Sequence, residues 1–282
     1  LDDLVVGAVT EDYSFRVFAA RTTQTVRGIL QAQSGAGRTV QHCGDLVTAS
    51  ILLRATMAPQ LRVQCILRGA GGTGTLVADS HPSGATRGLI QLPAGSSEVR
   101  LAEGALLQMM RTLHDGRLSQ GVVQVAEGAT MSEAFMTYMQ ESEQTVTMAE
   151  LRTVLDSQSA VRAAGYLVQL LPGTPRRALR TMTDRLVLLQ ETGELFMMQD
   201  SDPDWQLSRL LGQAPYHNLM RHAVRFECWC SELRVVSALA TLKRAELTEL
   251  AASDRPLQIS CDYCGKDYAI SPARLTGLLQ QS

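Results

Sequence analysis

Two tight pairs of cysteines near the C-terminus, Cys228-Trp229-Cys230 and Cys261-Asp262-Tyr263-Cys264, constrain this chain more than any other feature. Four thiols in two clips suffice to close a tetrahedral zinc site, and structural zinc favours thiolates at short spacing within each pair. One ion held this way ties together segments separated by residues 231–260. Gly265, directly after the second clip, suits the positive φ of a tight turn around metal. The first clip brings two thiols onto one short turn, which suits mutual oxidation as well as metal binding. A site made only of thiolates is either a passive staple or a redox sensor, and both readings stand at this point.

The 282 residues, 45% hydrophobic and 19% charged, describe a globular chain with room for one large domain or two to three smaller ones. A formal net charge of -2 provides no global basic field of the kind that draws proteins to nucleic acid. No apolar run approaches a bilayer span and no signal-peptide pattern is present, so neither a membrane nor a secreted disulfide framework is expected. A reducing, cytoplasmic compartment follows as the expectation, with an organelle left open because the sequence starts at Leu1 rather than Met.

Along the chain the texture predicts an α+β fold in three parts. Residues 1–174 read as a mixed α/β domain around a central sheet, residues 175–224 as a helical linker, and residues 225–282 as a small zinc-binding module. In the first part, strand patterns cover Leu4-Val5-Val6, Phe15 to Phe18, Leu61 to Leu67, Thr75 to Ala78, Gly88 to Leu92, Val122 to Val125 and Gly165 to Leu171. Helices are expected over Thr22 to Gln33, over Leu46 to Met57 with Asp45 as cap, and after the capping box Thr130-x-x-Glu133. Thr174-Pro175 and Asp202-Pro203 each look like a cap followed by a first helical residue, with no strand signal between 175 and 224. The module should contain helices from Ser231 and through Leu250, strands at Leu257-Ile259 and Tyr268-Ile270, and a last helix opened by Ser271-Pro272.

Other signals favour plain structural readings. Gly69-Ala70-Gly71-Gly72-Thr73-Gly74 has dinucleotide-fingerprint spacing, but Thr75-Leu76-Val77 continues as a strand where that motif needs a helix, so a hairpin loop is the better reading. Asp79-Ser80-His81 contains the residue types of a hydrolytic triad, yet three neighbours cannot form one, and Pro82 and Gly84 mark a turn. Cys43 and Cys65 lie in or beside apolar segments and read as buried thiols, with His42 too close in sequence to act as a base. His217 and His222 precede the first clip and could replace a thiol as ligands, although four cysteines already close the site. A thiol oxidoreductase built on Cys261-x-x-Cys264 would need a thioredoxin-like βαβ setting, which does not precede it. No enzyme is expected.

The module is under about 70 residues, a size at which an apolar core rarely suffices without metal or disulfide. Zinc contributes roughly 10–16 kcal/mol in modules of this kind, so its loss should unfold this one. Arg225, Arg234 and Lys266 are placed to offset the charge of four thiolates. Acidic and basic side chains nearly balance in the module, which argues against nucleic acid as its partner.

Phe226-Glu227-Cys228-Trp229-Cys230 and Cys261-Asp262-Tyr263-Cys264-Gly265 resemble the heat-shock protein 33 family, redox-regulated chaperones of about 33 kDa. Similarity extends to Phe18-Ala19-Ala20-Arg21-Thr22-Thr23, Gly44-Asp45-Leu46, Ser142-Glu143-Gln144 and Gly165 to Pro172, in order along nearly the whole chain. The resemblance implies an ATP-independent holdase, inactive when reduced and holding one Zn2+ per chain on Cys228, Cys230, Cys261 and Cys264. It further implies that oxidation forms Cys228–Cys230 and Cys261–Cys264, releases zinc and unfolds the module and linker. The oxidised protein would then dimerise, hold unfolded or partly unfolded clients, and pass them to an ATP-dependent foldase. Disulfides within the clips close tiny loops and restrain the chain little, whereas the metal braces it across the intervening residues. Cys43 and Cys65 lie outside the family's cysteine pattern, and no client-contact residue is assigned.

Overall fold

Helix α2 (Gly37–Ala55) is buried at every position from Leu46 to Ala55. A helix apolar on all sides must lie between other layers, and here two sheets flank it. The computed structural model describes residues 1–113, 115–156, 161–197, 202–253 and 255–281, which divide into two units, Leu1–Glu227 and Cys228–Ser282.

The first sheet of the larger unit has the order β10-β1-β2-β9-β8, all antiparallel: β1 (Leu4–Thr10), β2 (Phe15–Arg21), β8 (Thr147–Leu155), β9 (Val161–Leu170) and β10 (Tyr216–Ala223). Successive side chains on a strand point to opposite faces. Accordingly Val5, Phe18, Ala20 and Leu167 enter the core shared with α2, while Val6, Ala8, Val17, Ala19, Tyr166 and Val168 enter a second core on the other face. Burial on both faces explains why these strands read as nearly unbroken apolar runs.

The second sheet has the order β11-β5-β4-β3-β6-β7, built from β3 (Arg62–Arg68), β4 (Thr75–Ser80), β5 (Ala85–Gln91), β6 (Leu106–Thr112), β7 (Leu118–Gln124) and the short β11 (Arg225–Phe226). Its pairs are antiparallel except β11 with β5. Helices α1 (Thr23–Ala32) and α3 (Met131–Glu141) complete the principal core, and α3 carries the expected Thr130–Glu133 capping box. The glycine-rich stretch joins the antiparallel β3 and β4, with one tight turn at Ala70–Gly72 and positive φ at Gly71 and Gly72. A nucleotide fingerprint is thereby replaced by a hairpin.

Several elements differ from expectation. The expected mixed α/β fold is present, and it is built on two sheets. Helix α2 begins at Gly37, so Asp45 lies mid-helix rather than at a cap. Gly44, inside the helix, is required by packing: a Cβ there would stand 2.4 Å from Thr153 Oγ1. Pro175 occupies the N-cap of α4 (Arg176–Thr192), while the Thr174 hydroxyl donates to the Ser14 and Leu171 carbonyls at 2.9 and 2.7 Å.

The segment 175–224 contains the expected helices, α4 and α6 (Pro203–Leu211, capped by Asp202), with the single turn α5 (Glu194–Met197) between them. It also contains strand β10, which no sequence signal announced, because an edge strand exposed on both faces carries no alternating pattern. Met182, Leu186, Leu189, Leu207, Leu210 and Leu211 pack on the outer face of the first sheet, and the segment belongs to the larger unit.

The smaller unit contains α7 (Glu232–Leu239), α8 (Arg244–Ala251), a hairpin of β12 (Leu257–Ser260) and β13 (Asp267–Ile270), and α9 (Pro272–Gln281). Its core is small: Val236, Leu239, Leu247, Tyr268, Ile270 and Leu275 are its buried members.

Candidate metal centre

The second clip occupies the turn of the β12–β13 hairpin, whose last pair is Ser260 opposite Asp267. The Cys261 amide donates to the Lys266 carbonyl at 2.9 Å, and the Gly265 amide returns to the Cys261 carbonyl at 2.8 Å. Closing this loop requires φ of +71° at Gly265, which glycine adopts without steric cost. The first clip lies in extended chain just before α7, whose N-cap Ser231 accepts from the Arg234 amide at 3.3 Å. A stable hairpin turn and a capped helix start therefore each present two thiols.

The four sulfurs come together. Cys228 Sγ lies 3.8 Å from Cys261 Sγ, Cys230 Sγ lies 3.5 Å from Cys264 Sγ, and all four are within 4.8 Å of one another. A tetrahedral site with metal–sulfur bonds of about 2.3 Å has sulfur–sulfur edges of roughly 3.8 Å, so the spacing is that of ligands around one small ion. All six cysteines are free thiols. The four clustered cysteines are half-buried.

Tyr268 on β13 adds a contact that sequence reasoning missed: its hydroxyl donates to Cys230 Sγ at 3.0 Å. The strand pattern at Tyr268-Ile270 was legible, but not the register that sets the ring under the first clip. Burial would raise the Cys230 thiol, yet hydrogen bonds from Tyr268 and the other three thiols outweigh it and bring it down to about 7. Burial and donation to Cys230 push Cys264 the other way, to about 12. Lys266 stacks its ammonium 5.3 Å from the Tyr268 ring, which brings one of the expected cations to this group. Arg225 is committed elsewhere, to Glu227 at 2.6 Å and the Ser83 carbonyl.

Among the described residues, the only group of three or more potential ligands is these four cysteines. His217 and His222 lie on β10 in the larger unit and take no part. Cys43 and Cys65 are fully buried; burial raises the first to about 12 and the second higher still, which makes both poor nucleophiles. Asp79 is paired with Arg62 and Arg87 rather than with Ser80 or His81, so no triad forms.

The comparisons with known proteins agree along the whole length. A family model described as Hsp33 protein matches residues 3–271. The 33 kDa chaperonin of Streptococcus gordonii is 26% identical over 291 residues, covering 99% of each chain. That of Bacillus subtilis is 27% identical over 292 residues, again covering 99% of each. The crystal structure of the heat shock protein 33 homologue of Thermotoga maritima superposes with a TM-score of 0.81 at 20% identity, covering 99% of this chain and 98% of that one.

Proposed function

This chain belongs to the Hsp33 family of chaperones, and from that premise we propose that it is a redox-regulated, ATP-independent holdase whose switch is the four-thiol cluster. The observation that carries the reading is the convergence of Cys228, Cys230, Cys261 and Cys264 beside a core too small to stand alone. Zn2+ is the ion whose tetrahedral preference and affinity for thiolates fit this donor set. When bound, it supplies a brace between the start of α7 and the β12–β13 turn.

Oxidation removes the ligands themselves. Two thiols of one clip form a sulfur–sulfur bond, release two protons, and pass two electrons to a peroxide, which leaves as water. Pairing within both clips replaces the long-range brace by two local links, Cys228–Cys230 and Cys261–Cys264, and the module loses its fold. The larger unit offers the surface that holds a client. Release of α4 and α6 would uncover Val6, Ala8, Val17, Tyr166 and Val168, a continuous apolar face of the first sheet. Exposed apolar patches of this extent bind unfolding chains or a second copy, which supports dimerisation of the oxidised form and later hand-over to an ATP-dependent foldase. The absence of ATP from the holding step follows from its chemistry, since burial of apolar surface alone drives it.

The test is peroxide treatment of the zinc-loaded protein under mild heat, with zinc release, peptide mapping of disulfides, and aggregation of an unfolding client measured together. The expected result is loss of zinc, linkage within each clip, and suppression of aggregation. Retention of zinc, or its loss without holding activity, sinks the chaperone switch. Linkage of Cys228 to Cys261 would remove the release argument, because a cross-clip bond keeps the brace.

A further inference from the structure

A cavity of about 480 Å³ lies within the larger unit, walled by Val9, Phe18, Leu171 and Met220, with Tyr13 and Leu219 at its exposed rim. Two guanidinium groups, Arg16 and Arg54, line it. Arg54 is only 4% exposed. Its Nε donates to Ser80 Oγ at 3.0 Å, but its Nη2 is buried without any hydrogen-bond partner. Arg16 donates to the Thr56 carbonyl at 3.1 Å and stands 5.1 Å from the centre of the Phe18 ring. Neither arginine is in an ion pair among the described residues, and no Asp or Glu lines the cavity. Burial draws both below the usual arginine range, with no carboxylate acting against it.

A buried charge persists in a folded protein when something pairs with it. The second sheet shows the ordinary solution, where Arg62 and Arg87 enclose the fully buried Asp79. At Arg54 the chain provides no such carboxylate, and the residue lines an open cavity. The missing group is an anion that arrives from outside. The walls specify its remainder: they are apolar, which an inorganic anion would not use and an alkyl or aryl stem would.

We infer that the cavity bounded by Arg16, Arg54, Phe18 and Met220 binds a monocarboxylate carried on an apolar stem. The carboxylate accepts from the guanidinium groups of Arg54 and Arg16, whose planar donors suit it. The stem lies between Val9, Phe18, Leu171 and Met220. A cavity of this size is in the usual range for small-molecule sites. The chemistry is shared by a free alkyl carboxylate and by the terminal carboxylate of a polypeptide ending in an apolar residue. The site contains none of the four clustered cysteines.

Calorimetric titration of the full chain with octanoate tests the assignment, with octanol and octylammonium as controls at constant chloride and ionic strength. Octanoate is expected to bind roughly tenfold or more tightly than either control and to raise the melting temperature of the larger unit. Arg16→Gln should weaken octanoate about tenfold, with the melting of the ligand-free variant measured alongside to account for its lost bond to Thr56. Arg54→Met should abolish binding while leaving the fold as stable or more so, since it removes an unpaired buried charge. A short peptide ending in a free leucine carboxylate and its amide separate the two sources: binding of the acid alone assigns a chain terminus, and binding of octanoate with neither peptide assigns a free carboxylate. Failure of octanoate to bind, equal binding of octanol or octylammonium, an equal rise in melting with added chloride, or unchanged octanoate affinity in Arg16→Gln each overturns the inference.

Discussion

Asp45 illustrates how one residue can read as a cap and prove to be something else. It projects from the middle of α2, where its Oδ1 is buried without a hydrogen-bond partner, and burial pushes the carboxyl up to about 7 against the pull of the Thr153 amide and the Arg152 charge. An unfolded Asp titrates near 4. Between roughly pH 4 and 7 the folded chain therefore keeps a proton that the unfolded chain has lost, and stability falls as pH rises through that window. Arg38, His42, Glu133 and Glu150 line with it a cavity separate from that of Arg16 and Arg54. Asp45→Asn should remove this part of the slope, leaving the variant more stable than the parent at pH 7.5 by on the order of 2 kcal/mol, with a smaller gain at pH 4.5, by urea denaturation. At the metal centre the decisive residues are the four thiols. Cys264→Ala takes away one of the four proposed ligands, and the expected outcome is loss of bound zinc and of module structure while the larger unit still melts cooperatively.

Among the elements, the least legible were those defined by their neighbours. Helix α2 hid its first two turns behind Gly44-Asp45, because glycine there answers to Thr153 on a strand more than a hundred residues away. Strand β10 has polar, exposed residues and owes its form to the ladder it makes with β1 from Leu4–Ala223 to Thr10–Tyr216. The chain leaves β10 past Gly84, at φ +84°, where a Cβ would lie 2.1 Å from the Ala223 carbonyl oxygen. Gly84→Ala should destabilise the larger unit by about 1–3 kcal/mol, read by chemical denaturation, because both the backbone conformation and the contact oppose it. Leu210 on α6 is fully buried against the first sheet. Leu210→Ala is expected to cost about 2–5 kcal/mol of the stability of the larger unit with zinc content unchanged; a loss of zinc in its place would show that α6 supports the module.

For the whole molecule, each unit has a core of its own, and the smaller one has few members. Removing zinc with a strong chelator under reducing conditions should abolish the far-ultraviolet signal of the module and open Arg234, Lys243 and Arg255 to trypsin. Leu1–Glu227 should keep its thermal transition; a single transition lost as a whole would mean that the cores do not stand separately. Much of this organisation was readable from the chain alone. Cysteine spacing picked out the four thiols that the structure brings together, and local patterns of capping, turn and period placed most helices and strands, including every element of the module. Sequence also carried the family, through short motifs kept in order along the chain. Only the tertiary structure decided what pairs with β1, why Gly44 must be glycine, where the helices of 175–224 bury their apolar faces, and that Arg54 faces a cavity without a counter-charge. The physical reason is range. Caps, turns and cysteine clips act over a few residues, whereas an edge strand, a close approach or an unpaired buried charge depends on contacts that exist only once distant segments meet.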